Sequence, residues 1–217
     1  AAGRVTAAPT SSDSPRVASG GASLVVQTSF LGDVILTTPL LAELARRGPV
    51  DVVVRPDAAA LLRGHPAVRH LVVYDKRGAD RGPAGLWRVA RRVRALGGAS
   101  AGGAAEVAYM AQGSPRSAAV ALLAGCGERV GFDTSRNARA LYTRVVPFRK
   151  GRHHAERLWA LAASASAAEP SAEALRPRLY PGEEERRAVE ELLGAARWAG
   201  GGPLVALAPG SVWATKR

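Results

Sequence analysis

Cysteine occurs once in these 217 residues, as Cys126 within Ala-Gly-Cys-Gly. A lone thiol builds neither a disulfide framework nor a thiolate metal cluster; this sets aside the small stapled folds and fits a reducing compartment. Aromatic residues make up only 5% and do not interleave with the arginines, so the stacking platforms of a nucleic-acid binder are missing. No apolar run approaches the roughly 18 residues of a membrane span. Residues 1–22 are rich in Ser, Ala and Pro, have no hydrophobic period and lack the basic start and apolar centre of a signal peptide. Acidic residues are scarce in one region: residues 76–152 carry fifteen Lys/Arg against four acids, a net +11 out of the total +12. Arg-rich codon usage explains a general excess of arginine but not its confinement to one third of the chain. A field of this sign favours anionic partners such as phosphorylated lipid, a membrane surface or nucleic acid.

At 47% hydrophobic, the chain can bury a good core. Short apolar runs at 23–28, 50–55, 70–74, 106–110 and 129–131 read as strands, and the segments between them carry helical spacing at 34–47, 57–63, 86–96 and 115–124. Alternating β and α elements with continuous apolar strands imply a parallel sheet covered on both faces. Beyond Gly131 the pattern changes to an exposed loop at 133–139, an extended segment at 141–147 and a helix at 152–168. The division expected is an unstructured 1–22, a Rossmann-like domain at 23–168, a linker at 169–182 and the start of a second domain at 183–217. That second domain opens with an acidic-started helix at 183–197 and a buried strand at 203–208. The chain then stops inside a Gly turn followed by a hydroxyl and a Lys, a plausible anion-binding loop, so it is expected to be part of a longer protein.

The first βα loop, Thr28-Ser-Phe-Leu-Gly-Asp33, lies at the carboxyl end of the first core strand, where open α/β sheets place their sites. With one glycine it is neither a dinucleotide turn nor a P-loop. Asp33 reads as a helix N-cap or as a general base, and the two roles compete because a helix N-terminus generally makes a carboxylate less basic. His153-His154 beside Glu156 are too few ligands for a metal site, and His154, Glu156 and Arg157 read as structural. Trp159, Trp198 and Trp213 read as packing residues. Helix 86–96 opposes an apolar stripe (Leu86, Val89, Val93, Leu96) with Arg88, Arg91, Arg92 and Arg94. It reads as a solvated face or as a surface for anionic headgroups.

Several motifs occur in order: Ser29-Phe-Leu-Gly-Asp-Val-Ile-Leu-Thr-Thr-Pro39, Ala111-Gln-Gly-Ser-Pro-Arg-Ser117, Arg129-Val-Gly-Phe132, His154-Ala-Glu-Arg157 and Pro209-Gly-Ser-Val-Trp-Ala-Thr-Lys216. Together they resemble the ADP-heptose:lipopolysaccharide heptosyltransferases of glycosyltransferase family 9, most nearly the type II enzymes. The resemblance implies a GT-B fold, in which two Rossmann-like domains face a cleft, the first mainly for acceptor and the second mainly for the nucleotide-sugar donor. It implies Asp33 as catalytic base, Ser211 and Lys216 as contacts to the donor diphosphate, and Gly32, Lys76, Arg77, Arg81, Arg116 and Arg136 on the acceptor side. It further implies an inverting transfer of L-glycero-D-manno-heptose from ADP-heptose, without metal or cofactor. The acceptor would be the anionic lipopolysaccharide inner core, met by a cytoplasmic enzyme peripheral to the inner membrane. The alternatives are a family 9 enzyme with another donor or acceptor sugar, and a basic nucleic-acid-binding α/β module. A chain that ends before any adenine or ribose pocket is expected not to turn over by itself.

Overall fold

In the computed structural model, residues 6–7, 21–97, 105–163, 169–196, 198, 202, 204–205 and 207 are described, residues 6–7 by backbone only. Two compact units result, Ala1–Tyr180 and Pro181–Arg217.

The first unit is built on a sheet of β1 (Thr6–Ala7), β2 (Ser23–Gln27), β3 (Val50–Val54), β4 (His70–Val73), β5 (Val107–Met110), β6 (Glu128–Phe132) and β7 (Arg144–Val146). The spatial order is β1-β4-β3-β2-β5-β6-β7. The six strands from β2 to β7 are parallel, as the continuous apolar runs require, and β1 pairs antiparallel with β4, Thr6 opposite Leu71. That last pairing corrects the reading of 1–22 as wholly unstructured. Main-chain hydrogen bonding to a sheet edge needs no side-chain period, so composition could not reveal it.

Alternate strand residues face opposite layers. Val25, Val52, Val54 and Val130 pack on one side with α1 (Leu31–Ala45), α2 (Ala59–Leu62) and α5 (His154–Ala160). Leu24, Val26, Val53, Ala108 and Met110 pack on the other with α3 (Gly82–Ala95) and α4 (Pro115–Ala124). Helix α4 matches its expected bounds and ends on Gly125 at φ 89°, the left-handed C-cap that glycine adopts without strain.

The Thr37-Thr-Pro39 run of α1 has a local reason. Pro39 cannot donate to the Ile35 carbonyl, the usual i−4 partner, and the Thr38 hydroxyl donates to that carbonyl instead at 2.8 Å. Thr37 Oγ1 donates to the Asp33 carbonyl at 2.7 Å and accepts from Gln27 Nε2 at 3.0 Å, fastening the first turns of the helix to the end of β2.

Segment 169–180 belongs to the first unit rather than to a free linker. The Arg178 amide donates to Thr38 Oγ1 at 3.1 Å, and the Tyr180 ring meets His65 edge-on with centroids 4.9 Å apart. Helix α5 is shorter than the expected 152–168, beginning after His153, whose Nδ1 accepts from the Ala155 amide at 3.3 Å. In the second unit α6 (Glu183–Ala195) carries Glu183, Glu184 and Glu185 in its first turn, and the Glu185 carboxylate accepts from the Gly182 amide. The expected buried strand at 203–208 is not formed by its described residues: Leu204, Val205 and Leu207 are exposed. Among the described residues this unit has no strand to supply a ladder partner, and an unpaired strand is not stable by itself. Trp198, read as a packing residue, is likewise exposed.

Burial pushes His65 from 6.5 down to about 4. Between those values the unfolded chain binds a proton that the folded chain does not, so this residue's contribution, about 3 kcal/mol, is lost as pH falls through that window. His65→Asn keeps an acceptor for the Ala67 amide, now held by His65 Nδ1 at 3.2 Å, and cannot titrate. The variant should be less stable near neutral pH yet have a flatter pH dependence in urea melts. An unchanged slope would assign the proton uptake to other groups.

Candidate functional site

Strand order reverses between β2 and β5, so their following helices leave on opposite faces and the loops diverge to open a crevice. The two loop starts are bonded across it. Thr28 Oγ1 donates to Gln112 Oε1 at 2.8 Å and lies 3.5 Å from Ser117 Oγ, while Ser29 Oγ donates to Gln27 Oε1 at 2.7 Å. This network holds the carboxyl edge of the two central strands to one geometry.

Asp33 sits in the first turn of α1. The helix begins at Leu31, three residues earlier than the sequence periodicity indicates, with Phe30 at the N-cap and no side-chain capping bond. The capping alternative for Asp33 is therefore corrected: its carboxylate is half-exposed and caps nothing. Gly32 is exposed, and a Cβ built there meets nothing within 4 Å, so the approach to Asp33 over the helix start is open.

Basic residues gather at neighbouring strand ends. Lys76, after β4, donates from Nζ to the Thr28 carbonyl at 3.1 Å, tying the basic loop to the loop that leads into Asp33. Its ammonium is held below the ordinary lysine value by burial first, then by Arg55, Arg77 and Arg116, with Asp57 opposing them. Arg116, at the start of α4, also acts on the buried Tyr74 hydroxyl, whose titration burial pushes upward. Arg81 lies apart as the exposed N-cap residue of α3, and Arg136 is exposed in the loop after β6; neither acts on Lys76. That loop approaches Gly113 closely, where a Cβ would lie 2.2 Å from Ser135 Oγ. Ser211 and Lys216 lie outside the described residues.

The basic loop is itself braced. Asp75 accepts from the Gly78 and Ala79 amides, which hold its carboxyl below the usual range. Buried Asp80 pairs with Arg92 at 2.6 Å and Arg88 at 3.8 Å. Two of the four arginines on the polar face of α3 are thus committed to the loop, while Arg91 stacks over the exposed Trp87 ring at 4.8 Å.

Two residues were missed in the sequence. Arg55 immediately follows β3, as Lys76 and Arg116 follow their own strands closely, and that strand-end position was the available signal. His154, read as structural, has Nε2 3.6 Å from Asp33 Oδ1, because α5 packs on α1. A cavity of about 820 Å³ beside β7, lined by Arg144, Arg149, Arg152, Trp159 and Glu169 among others, includes neither Asp33 nor Lys76. Its charges are largely paired, Arg144 with Glu128 and Arg152 with Glu169, each at 2.5 Å.

A glycosyltransferase family 9 structure from Veillonella parvula DSM 2008 superposes with a TM-score of 0.70 at 22% identity, over 81% of this chain and 50% of that one. Its fold is therefore shared. Heptosyltransferases are also among the structural neighbours. The E. coli ADP-heptose lps heptosyltransferase II gives 0.60 at 21% identity over 79% and 50% of the two chains. E. coli heptosyltransferase WaaC with ADP-2-deoxy-2-fluoro heptose gives 0.54 at 27% over 69% and 50%. The chain spans about half the length of the solved structures it matches, and its Rossmann-like α/β architecture is that of one half of a GT-B enzyme. No family model and no curated protein matches the sequence. Among the described residues no helix is long and apolar enough to cross a membrane.

Because the space over Gly32 is empty, Gly32→Ala is expected to leave stability unchanged or raise it by up to about 1 kcal/mol, the usual helix gain over glycine. Urea melts of the two proteins measure it. A loss of more than that amount would mean that the first turn of α1 is covered.

Proposed function

We propose that this chain is the acceptor-side half of an inverting glycosyltransferase that moves L-glycero-D-manno-heptose from ADP-heptose to the lipopolysaccharide inner core. The observation that supports this most is that Asp33, free of any capping role, and the cations Lys76, Arg77 and Arg116, with Arg55 paired to Asp57 at 2.7 Å, all follow the carboxyl ends of neighbouring strands, where the bond from Lys76 to the Thr28 carbonyl joins their loops. A carboxylate and a cluster of cations on one rim of strand ends suit an acceptor that carries both a hydroxyl to deprotonate and anionic groups to bind.

In the proposed step an acceptor hydroxyl attacks the anomeric carbon opposite the departing ADP. The bond from that carbon to the phosphate oxygen breaks, and its electron pair leaves with ADP while Asp33 takes the hydroxyl proton. Gly32 leaves room for the sugar to reach the carboxylate. Arg77 and Arg116 with Lys76 bind acceptor carboxylates or phosphates, and the exposed Arg81 and Arg136 extend the same field outward. Ser211 donates a hydrogen bond to the donor diphosphate, and Lys216 neutralises charge as it develops on the leaving group. With Lys216 in that role the scheme calls for no metal. The protein works at the cytoplasmic side of the inner membrane, peripherally, with the Trp87 and Arg91 side of α3 available to anionic headgroups.

The test uses the protein carrying both halves. Asp33→Asn is expected to fold normally and lose roughly 10² to 10⁴-fold in heptose transfer. Lys76→Glu with Arg116→Glu should weaken acceptor binding and leave ADP binding nearly unchanged in calorimetric titrations. Transfer by Asp33→Asn within a few-fold of wild type, or equal losses for both ligands, would overturn the assignment.

A further inference from the structure

We propose that His154 and Arg157 form a positioning pair for Asp33, with Arg157 fixing the imidazole tautomer and His154 presenting an N–H to one carboxylate oxygen. The contacts run in series. Arg157 Nη2 lies 3.4 Å from His154 Nδ1, and His154 Nε2 lies 3.6 Å from Asp33 Oδ1. A guanidinium nitrogen only donates, so its contact requires a lone pair on Nδ1 and leaves the ring proton on Nε2, facing Asp33. Arg157 stacks over the Phe148 ring at 4.4 Å, which fixes the plane of its guanidinium, and its buried Nε has no hydrogen-bond partner. The whole arrangement depends on α5 docking against α1.

A neutral ring serves the base better than a charged one. The charged and titratable groups acting on His154 are Asp33 from α1 and Arg157 and His153 from its own helix. Burial, helped by Arg157 and His153, keeps it below its ordinary value against the pull of Asp33. A neutral N–H donor orients the carboxylate without placing a full positive charge beside it, which would oppose proton uptake. At 3.6 Å the contact is longer than the roughly 2.9 Å of a hydrogen bond, as catalytic contacts in ligand-free sites often are. Rotation of the carboxylate closes it, leaving the second oxygen for the acceptor hydroxyl.

The coupling itself is independent of any activity, whereas the positioning role rests on the function proposed above. On the ¹⁵N-labelled chain, long-range ¹H–¹⁵N correlation should show His154 neutral near pH 7 with its proton on Nε2. Asp33→Asn should lower its titration midpoint, and Arg157→Met should mix the tautomers. A proton on Nδ1, or a midpoint unmoved by Asp33→Asn, would overturn the coupling. In the protein with both halves, His154→Phe should reduce kcat roughly 10-fold. It should leave KM for the donor unchanged and move the acid limb of the pH profile upward, with His154→Gln, which keeps an N–H donor, recovering part of the loss. If Asp33→Asn abolishes transfer while His154→Phe changes neither kcat nor the pH profile, the positioning role falls and the function stands. If Asp33→Asn itself is harmless, both fall.

Discussion

Everything at the site depends on the reversal of strand order between β2 and β5. Parallel strands whose helices depart to opposite faces cannot fill the space between their carboxyl ends with chain, and a crevice remains. The polar side chains that close its floor, Thr28, Gln112 and Ser117, are hydrogen-bonded through Thr28. They tie the loop leading to Asp33 to the loop leading to Arg116, and Lys76 adds a third loop through the Thr28 carbonyl. Three segments distant in sequence are thereby held to one rim.

That rim separates charges by role. Asp51, at the opposite end of the sheet, is buried and engaged by Arg69 through both oxygens, at 3.0 and 2.6 Å, and by His70. Asp80 is likewise buried and paired. Asp33 is instead half-exposed, and among the described residues its charged neighbour is His154 at 3.6 Å. The contrast among the cations is narrower: Arg92, Arg144 and Arg55 are paired with carboxylates, Arg55 with Asp57 at 2.7 Å, whereas Lys76 is bonded to a neutral carbonyl with Arg55, Arg77 and Arg116 acting on it. A cluster of like charges is costly to assemble without an anion to receive.

The βα alternation was legible in the sequence because buried parallel strands write themselves as continuous apolar runs, and α4, bounded by Pro115 and Gly125, could be placed to the residue. Asp33, Lys76, Arg77 and Arg116 could be singled out as candidates because each stands in a loop or helix start that follows a strand end. Arg55 had the same placement and was passed over for want of a motif. His154 could not be found that way. Its position depends on α5 crossing back onto α1, a tertiary contact that no local pattern encodes. The start of α1 was misplaced because Leu31 and Gly32 add no apolar period, although they are already helical, and this moved Asp33 from cap to first turn. The strand expected at 203–208 was read from its apolar composition, and its described residues, which have no ladder partner among the described residues of their unit, are not in a strand.

The most direct measurement is a ¹H–¹⁵N titration of the chain with a sugar bearing both carboxylate and phosphate, followed at low and at raised salt. Shifts concentrated in residues 28–33, at Arg55, in the 76–81 loop and at 112–117, and weakened by salt, are the expected result. Shifts confined to the cavity beside β7, or no saturable binding at low salt, would contradict the placement of an anionic acceptor at the rim.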